Sequence, residues 1–395
     1  MGNKKVAIIG TGLAGLACGT KLAESNSVDI TFFEKGTSVG GRVATSLHSG
    51  FVLDKGFQVI LSAYPHFKEF IKPIETRSLA RGATFIIDGQ KIEVELSSSG
   101  IISFFTNWKK IGEPADFIKL LKAIMIRNPK IKTNNDLFDY INFSDKFKTN
   151  FLLPFFRGVL NSKSIETDVS YFKFLLKMFA MGPVVVPKNG MNQMPRLMFE
   201  KLQLDERLKF NFGASVSSVT NTTVELTSGE QEQFDCIVCA CDPWALSEIE
   251  GVRSSGEKPE NNSPLTTFYV KTKSIEYNQR SLVLPVGNYK INHIAPMGHV
   301  YASSRPYISV NVLDTETDYD TVLRELCSIY STEKSSFELI DIQKVYHVLP
   351  KVFHQGALPY FENGIFYCGD YMETPSIDGA LLSGKKVASH VLSKL

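Results

Sequence analysis

Three glycines near the start of the chain have the spacing of a phosphate-binding turn. Gly10, Gly12 and Gly15 form the pattern GxGxxG. In that pattern the first glycine allows a tight turn, the second lets the backbone approach a pyrophosphate, and the third lets a helix pack closely on a strand. The N-terminus of that helix then faces the anion. We therefore predict that these glycines bind a dinucleotide together with Leu13 and Ala14, which open the helix.

A carboxylate stands where dinucleotide sites bind ribose. Glu34 lies 19 residues after Gly15 and follows an apolar run, so it should end a strand. A carboxylate in that place accepts hydrogen bonds from the ribose hydroxyls. The alternative is a glycine-rich turn beside an unrelated surface glutamate. Because a strand, the glycines, a helix, a second strand and the acid occur in the required order, the dinucleotide site is favoured.

The elements that must position these residues form a βαβ unit. Residues 5–9 are mostly apolar without alternation, as expected of a parallel strand that is buried on both faces, and the run stops at Gly10. Apolar side chains at helical spacing predict a helix from residue 13 to about residue 24. Residues 28–33 predict the second strand, which completes the unit.

The rest of the chain departs from this parallel pattern. Apolar runs at 84–87 and 91–96 flank Asp88-Gly89-Gln90, which predicts a β-hairpin. Helical periodicity dominates between residues 114 and 203, short strands follow, and the end returns to strand and helix. Predicted helices cover 116–127, 136–140, 169–181, 193–202 and 380–392, and predicted strands cover 208–212, 224–226, 236–240, 267–271, 308–312, 339–345 and 365–368.

The order of these segments predicts one domain that is interrupted twice by another. Residues 1–62, 187–262 and 351–395 should form a nucleotide-binding α/β domain. Residues 63–186 and 263–350 should form the second domain. The polar segment 254–263 is a candidate linker.

Composition excludes several classes of protein. The 395 residues are 43% hydrophobic and 21% charged, which leaves enough apolar surface for a sizeable core. A net charge of +2 gives no sign of nucleic-acid binding, so we expect no nucleic-acid partner. The six cysteines favour free thiols over a disulfide framework. We assign no metal, because the seven histidines have no metal-ligand spacing and Cys236, Cys239 and Cys241 lie on or beside a buried strand.

A second glycine-rich motif follows Glu34 and indicates which dinucleotide is bound. The segment Lys35-Gly36-Thr37-Ser38-Val39-Gly40-Gly41-Arg42 resembles the amine oxidase, phytoene desaturase and protoporphyrinogen oxidase superfamily of FAD enzymes. The resemblance implies that FAD is the cofactor and that Lys35, Gly41 and Val43 belong to a loop against its pyrophosphate and flavin. It also implies that Arg42 adds a fixed positive charge near the phosphates. The similarity continues to Gly56, in the segment that returns the chain toward the flavin.

The end of the chain carries the second half of the resemblance. A predicted strand leads into Gly369 and Asp370, and in the family a similar carboxylate lies near the ribityl chain and pyrophosphate. Ile377 and Ala380 lie at the start of the last helix, whose N-terminus would stabilise the electron-rich reduced flavin. Val216 stands where the family contacts adenine through backbone groups.

The resemblance also implies a fold class and an activity. The fold class is α/β, with a Rossmann-type FAD-binding domain and an interleaved α+β substrate domain. The activity is that of an FAD-dependent oxidoreductase that removes hydride from a hydrophobic, isoprenoid- or porphyrin-like substrate, as a desaturase does. Oxygen or a quinone is the expected electron acceptor. Flavin takes a hydride without a protein nucleophile, so no catalytic residue is assigned.

Three alternatives stay open. A flavin amine oxidase usually places an aromatic residue three positions before Gly379-Ala380, where this chain has Ser376, so a desaturase is favoured. A non-catalytic lipid-binding carrier of the Rab GDP-dissociation inhibitor type shares the fold, but has little reason to carry Arg42 and Asp370 together. A flavoprotein that isomerises its substrate with reduced FAD would have the same motifs.

The predicted second domain raises the questions of substrate and location. The chain has 28 Phe, and those of this domain either line a tunnel for a greasy substrate or pack a core. Residues 116–127 combine apolar and basic side chains, so the helix either contacts a membrane surface or packs inside the domain. No apolar run reaches membrane-spanning length, so we expect a cytoplasmic protein. The final Ser393-Lys394-Leu395 matches a peroxisomal address if the source is eukaryotic.

Overall fold

A computed structural model describes residues 2–70, 74–96, 102–104, 108–253, 264–273, 280–350 and 359–395 of the chain. The candidate linker 254–263 lies outside the described residues. The strands are β1 (Lys4–Ile9), β2 (Val28–Glu34), β3 (Thr45–His48), β4 (Phe51–Asp54), β5 (Ile60–Leu61), β6 (Thr76–Ser78), β7 (Gly82–Ile87), β8 (Gln90–Leu96), β9 (Ile102–Phe104), β10 (Val184–Pro187), β11 (Leu208–Phe212), β12 (Val216–Val219), β13 (Thr223–Leu226), β14 (Gln231–Gln233), β15 (Cys236–Cys239), β16 (Leu265–Thr272), β17 (Leu282–Pro285), β18 (Ile291–Ala295), β19 (Tyr307–Val312), β20 (Phe337–Val345), β21 (Phe361–Glu362) and β22 (Ile365–Tyr367). The helices are α1 (Leu13–Ala23), α2 (Pro65–Phe70), α3 (Pro114–Ala123), α4 (Asn134–Ile141), α5 (Asp145–Phe147), α6 (Leu153–Leu160), α7 (Val169–Met181), α8 (Gln193–Leu202), α9 (Pro243–Ser247), α10 (Met297–Val300), α11 (Tyr319–Tyr330) and α12 (Ile377–Lys394).

A sheet of mostly parallel strands carries both ends of the chain. Its strand order is β11-β2-β1-β15-β22-β21, and the edge strand β21 pairs antiparallel with β22. Strand β1 is parallel to both of its neighbours. Alternate residues of β1 enter different hydrophobic cores: Val6 and Ile8 pack with α1, and Ala7 and Ile9 pack against the opposite layer. Burial on both faces explains why this run is apolar without alternation, as predicted.

Helices α1 and α12 cover one face of this sheet and touch each other closely. A Cβ built on Gly384 of α12 would lie 2.2 Å from the carbonyl oxygen of Ala14 in α1. Because no side chain fits at that distance, glycine is what allows the two helix backbones to approach. The contact fixes the last helix of the chain beside the first.

A second sheet of eight strands is assembled from two separate parts of the chain. Its order is β20-β16-β19-β18-β17-β7-β8-β9, in which β17 pairs parallel with β7 and joins the two parts. The predicted hairpin is present as β7 and β8. Helix α11 packs on one face, where Val322 and Leu326 meet Phe268 and Val310. Helix α6 contacts β17 and β18.

The fold is therefore α/β with an interleaved second part, as predicted. Strands of the parallel sheet come from residues 4–34, 208–239 and 361–367, and those of the eight-stranded sheet come from 82–104 and 265–345. Strand β10 pairs with β5 and β6 and ties the two parts together. The division at residues 62, 186, 262 and 350 stays a prediction.

Two predicted helix boundaries are wrong for identifiable reasons. The helix predicted over 116–127 is α3 and ends at Ala123, shortly before Asn128 and Pro129, where an α conformation is disfavoured. The helix predicted to begin at residue 380 is α12 and begins at Ile377. The Ser376 side chain caps it by accepting a 3.0 Å hydrogen bond from the backbone N–H of Gly379.

No helix among the described residues combines the length and the apolar character that crossing a bilayer requires. All six cysteines are described, and each is a free thiol, as predicted.

Candidate FAD and substrate site

A cavity of about 710 Å³ opens at the carboxyl edge of the parallel sheet. Its wall includes Gly10 after β1, Glu34 at the end of β2, Ala240 after β15 and Gly369 after β22. In open parallel sheets the loops at this edge form the ligand crevice. The topology thus brings residues from the two ends and the middle of the chain to one place.

The three glycines of the first motif occupy three different environments. Gly10 has φ +101, which glycine tolerates and other residues rarely adopt. A Cβ on Gly15 would lie 2.1 Å from the carbonyl oxygen of Gly10, so α1 packs directly on the turn. A Cβ on Gly12 would meet no atom within 4 Å, and Gly12 lies on the cavity wall. The backbone at Gly12 is therefore open to a ligand.

The second glycine motif lies against the first. Gly40 and Gly41 both have positive φ, +126 and +57, and the N–H of Gly40 donates a 3.1 Å hydrogen bond to the carbonyl oxygen of Thr11. A Cβ on Gly41 would be 3.9 Å from the Cα of Gly12. The two loops therefore form one glycine-lined wall at the N-terminus of α1, where backbone N–H groups and the helix dipole favour an anion.

Glu34 is fixed by the glycine loops rather than exposed. Its Oε2 accepts hydrogen bonds from the backbone N–H and the hydroxyl of Thr11, at 2.9 and 2.7 Å. Its Oε1 accepts a 2.8 Å hydrogen bond from the backbone N–H of Gly36. Each carboxylate oxygen has more than one acceptor site, so Glu34 can still accept from ribose hydroxyls.

An ion pair joins the second glycine motif to the Gly369-Asp370 segment, the two motifs that the family resemblance assigned to one cofactor. Nη2 of Arg42 lies 2.5 Å from Oδ1 of Asp370, and both residues line the cavity. Nη1 of Arg42 donates a 3.2 Å hydrogen bond to the carbonyl oxygen of Val348. Burial opposes the charge on Arg42, but the attraction of Asp370 outweighs it and raises the guanidinium pKa. A positive group is thereby held next to the glycine-lined wall.

The N-terminus of α12 faces the same cavity through Ser376, Ile377 and Ala380. Asp378 points elsewhere: it is buried and accepts hydrogen bonds from the backbone N–H groups of His66 and Phe67 at the start of α2. The carboxylate therefore caps α2 and fixes the orientation of α12.

Most of the predicted cofactor residues line the cavity. They are Gly10, Gly12, Leu13, Ala14, Glu34, Lys35, Gly41, Arg42, Val43, Val216, Gly369, Asp370, Ile377 and Ala380. Gly15 lies behind the cavity wall, where it packs α1 against the Gly10 turn. Gly56 also lies off the wall, and its assignment to the cofactor site stays a prediction. It makes a turn with φ +76 against Leu265, and it is the following Phe57 and Gln58 that reach the cavity.

Sequence reasoning missed several residues around the glycine-lined end. Ala240, Cys241 and Asp242 follow β15, which is adjacent to β1, so the rule that strand ends meet would have found them once the strand order was known. Gln58 donates a 2.7 Å hydrogen bond from Nε2 to the backbone carbonyl of Arg42. No motif in the sequence indicated it.

The other end of the cavity is apolar and rich in aromatic rings. Ring centroids of neighbouring phenylalanines are 5.3 Å apart for Phe85 and Phe151 and 5.1 Å apart for Phe155 and Phe179. The aromatic wall consists of Phe57, Tyr64, Phe85, Phe151, Phe155, Phe156, Tyr171 and Phe179. Both roles considered for the phenylalanines occur, because Phe57, Phe85, Phe151 and Phe156 line the cavity and are also buried in the hydrophobic core.

Two titratable groups on the cavity wall, Tyr171 at the apolar end and Cys241 beside the glycine loops, are neutral. The hydroxyl of Tyr171 donates a 2.9 Å hydrogen bond to the carbonyl oxygen of Pro375, and burial raises its pKa. Burial likewise raises the pKa of Cys241 to about 12, so its thiol stays protonated at neutral pH. A protonated thiol is a poor nucleophile.

Comparison with known proteins agrees with this geometry. Residues 13–392 match the model of the family described as flavin containing amine oxidoreductase. A 4,4'-diapophytoene desaturase (4,4'-diaponeurosporene-forming) of Staphylococcus aureus is 40% identical over 287 residues, which cover 62% of this chain and 56% of that protein. Protoporphyrinogen oxidase 2 of Arabidopsis thaliana is 23% identical over 166 residues, covering 39% of this chain and 32% of that protein.

The chain therefore spans about half or less of the length of these curated relatives. Among solved structures, an oxidoreductase from Methanosarcina mazei superposes with a TM-score of 0.77 at 15% identity, covering 98% of this chain and 100% of that one. At that identity the likeness shows the fold. The family match covers nearly the whole chain, and the chain belongs to the flavin-containing amine oxidoreductases, a family of FAD-dependent oxidoreductases.

Proposed function

We propose that the protein removes hydride from a hydrophobic, isoprenoid- or porphyrin-like substrate, as a desaturase does. The observation that carries the proposal is one continuous cavity, which runs from a glycine-lined end to an aromatic end. Small-molecule sites are mostly apolar with a few precisely placed polar groups. The aromatic end of the cavity fits that description. Two relatives named as a diapophytoene desaturase and a protoporphyrinogen oxidase agree with the substrate class.

The glycine-lined end fits FAD. The space at Gly12 is what a pyrophosphate needs, the N-terminus of α1 and Arg42 provide positive charge, and Glu34 provides acceptors for ribose. We propose that FAD is held by Gly10, Gly12, Leu13, Ala14, Glu34, Lys35, Gly41, Arg42, Val43, Val216, Gly369, Asp370, Ile377 and Ala380. Bound FAD supplies the acceptor for a hydride, with oxygen or a quinone as the proposed final electron acceptor.

The chain's own residues orient the substrate and keep water away. The aromatic rings give a dry wall that binds carbon chains or rings by burial of apolar surface. The dipole of α12 places partial positive charge at its N-terminus, which faces the cavity. Removal of the hydride itself requires no acid or base of the chain. The second hydrogen of the pair leaves as a proton, which passes to solvent.

The alternatives differ from this proposal at identifiable points. Ser376 stands where an amine oxidase usually has an aromatic residue, and here its side chain caps α12. A carrier without redox function would have no use for the wall around Gly12 and Arg42. An isomerase that uses reduced flavin would share the whole site, so the mass of its product is what distinguishes it.

The first experiment is the visible absorption spectrum of the purified protein before and after denaturation. Flavin bands that are released on denaturation are expected, followed by anaerobic bleaching when a polyene or porphyrinogen substrate is added. Mass spectrometry should then find a product that has lost one pair of hydrogens. A product of unchanged mass would favour the isomerase. A colourless protein that does not take up added FAD would contradict the proposal in favour of the carrier.

Helix α3 and the residues just after it have side chains on the cavity wall and side chains exposed at the surface. Leu120 and Leu121 line the cavity, while Ile118 and Met125 on and after the helix are 56% and 73% exposed. We propose that this exposed face, flanked by Lys119 and Lys122, contacts the surface of an anionic lipid bilayer.

Co-sedimentation with vesicles tests the membrane contact. The protein should sediment with vesicles that contain anionic lipid, and Ile118→Ser with Met125→Ser should lower the bound fraction several-fold. Tyr140→Ser is the matched control, because Tyr140 is 61% exposed on α4. Equal binding of all variants would contradict the proposed surface.

A further inference from the structure

Two buried polar side chains interrupt the apolar end of the cavity. His293 is 2% exposed and Asn161 is 9% exposed, and both lie on the cavity wall. Neither Nε2 of His293 nor Oδ1 of Asn161 has a hydrogen-bond partner among the described residues. An unpaired buried polar atom destabilises a protein, so two of them at one cavity need an explanation.

His293 presents a hydrogen-bond donor. Its Nδ1 lies 3.1 Å from Nδ2 of Asn292, and because an amide nitrogen only donates, Nδ1 must accept. The ring proton is then on Nε2. Burial lowers the pKa of His293 to about 4, so the imidazole is neutral at neutral pH. The group available to an occupant of the cavity is a neutral N–H.

A break in strand pairing turns His293 toward the cavity. The register of β18 against β19 shifts between Ile291 and His293. Ile291 and Ile294 both pack in the core under α11, which strict alternation would forbid, while His293 contacts Phe57 with ring centroids 5.4 Å apart. Bulges of this kind redirect side chains beside functional sites.

Asn161 lies on the same cavity wall as His293 and presents an acceptor, its Oδ1. A Cβ built on Gly158 of α6 would be 3.8 Å from Nδ1 of His293, so the helix passes directly beside the ring. Asn161 follows Gly158 by three residues, which places it about one turn further along the same side. It ends α6 in the left-handed conformation, with φ 45 and ψ 43.

We propose that His293 and Asn161 bind a neutral hydroxyl group on an otherwise apolar substrate. Nε2–H of His293 donates to the hydroxyl oxygen, and the hydroxyl proton is donated to Oδ1 of Asn161. This inference rests on the proposed function, and it narrows the substrate class from hydrophobic molecules in general to those that carry a hydroxyl group. A pure hydrocarbon leaves both polar atoms unpaired, and a carboxylate meets a carbonyl oxygen and no cation in this pair.

Binding of three matched probes to the FAD-loaded protein tests the inference. The probes are geranylgeraniol, its methyl ether and the hydrocarbon of the same chain length, measured by calorimetry. The alcohol should bind roughly tenfold more tightly than the hydrocarbon. The ether should fall between them, because it accepts from His293 but cannot donate to Asn161. Equal binding of alcohol and hydrocarbon, or binding of neither, would overturn the inference without using any variant.

Variants then assign the preference to the two residues. His293→Leu and Asn161→Gly should each remove most of the alcohol preference, and glycine tolerates the left-handed backbone at position 161. Phe155→Leu is the matched control on the aromatic wall, and it should weaken alcohol and hydrocarbon binding alike. A preference that survives in both polar variants would also overturn the inference.

The two proposals fail in distinguishable ways. The calorimetric ratio of alcohol to hydrocarbon does not depend on electron transfer. A protein that prefers the alcohol but neither binds FAD nor bleaches with substrate would contradict the proposed function alone. A protein that oxidises a hydrocarbon and shows no alcohol preference would contradict the inference alone.

Discussion

At the scale of single residues, neighbouring glycines of one motif do different physical work. A methyl group at Gly12 would enter open space at the cavity, and one at Gly15 would collide with the Gly10 carbonyl at 2.1 Å. Gly12→Ala should therefore cost the apoprotein less than about 1 kcal/mol, as a helix N-cap change. It should weaken FAD binding by roughly tenfold, because the methyl group occupies the closest approach of the pyrophosphate.

Gly15→Ala should mainly destabilise the apoprotein, whereas Gly12→Ala should mainly weaken FAD binding. The clash is with backbone and should lower the free energy of unfolding of the apoprotein by roughly 1–3 kcal/mol. Urea unfolding of both apoproteins and FAD titration by flavin fluorescence measure the two effects. If Gly12→Ala lost stability and kept its FAD affinity, the assigned role of Gly12 would be wrong.

His293 makes a second residue-scale prediction, which concerns pH. Its pKa is lowered by burial from 6.5 to about 4, so between these values the unfolded chain binds a proton that the native protein does not. Stability should therefore fall as pH decreases through this window, by about 2 kcal/mol between pH 7 and pH 5 from this group. Urea unfolding at the two pH values should show that His293→Leu loses this component of the pH dependence. His390→Gln, at an exposed position, should keep it.

At the scale of elements, the site depends on how closely α1 and α12 pack. Gly384 allows α12 to lie against the backbone of α1, with its virtual Cβ 2.2 Å from the oxygen of Ala14 and 2.9 Å from the nitrogen of Cys18. Both helices begin at the cavity, so a change in their packing moves two parts of its wall.

Gly384→Ala should therefore reduce stability and FAD affinity together. We expect a loss of roughly 1–3 kcal/mol in the free energy of unfolding, since the clashing atoms are backbone and cannot rotate away. Thermal unfolding and FAD titration measure the pair of effects. Ser389→Ala, at an exposed position of the same helix, is the control and should change neither. If the Gly384→Ala variant were destabilised but kept its FAD affinity, the packing of α1 on α12 would not determine FAD binding.

At the scale of the whole molecule, the cavity wall is drawn from distant parts of the chain. The Arg42–Asp370 ion pair lies between loops that belong to opposite ends of the sequence, and FAD held there would contact both. A ligand that binds only the folded state stabilises it, by about 2.7 kcal/mol at a free concentration of 100 times Kd. Removal of FAD should therefore lower the unfolding temperature.

The size of that shift tests the role of the ion pair. Differential scanning calorimetry of the apoprotein and the reconstituted protein should show a stabilisation that grows with free FAD concentration. Asp370→Ala should show a smaller stabilisation at the same FAD concentration, because Arg42 loses its partner and the wall loses a carboxylate. Lys4→Ala is the control, since its ion pair with Asp235 lies on the surface. Equal stabilisation by FAD in wild type and Asp370→Ala would show that Asp370 does not contribute to FAD binding.

The choice of FAD came from the resemblance of residues 35–42 to a family of FAD enzymes. The local sequence by itself determined the βαβ opening, the hairpin and the glycine and carboxylate pattern of a dinucleotide site. These depend on spacing within short segments: glycines that permit positive φ or close contact, an acid at the end of a strand, and apolar runs buried on both faces. Ser376 shows a limit of local reasoning. Its side chain caps α12, so the helix begins at Ile377, before residue 380, where the apolar periodicity predicted its start.

Only the tertiary structure decided which residues share the cavity. Ala240 to Asp242 lie at the site because β15 is adjacent to β1, and strand order is a long-range property that no local pattern encodes. Gly56 lies off the cavity wall because its turn packs against Leu265, a contact that no local pattern indicated. His293 gave no signal in the sequence, where a lone histidine is an ordinary packing residue. A bulge and a neighbouring helix make it a buried donor on a cavity wall, and both are consequences of how distant strands and helices pack.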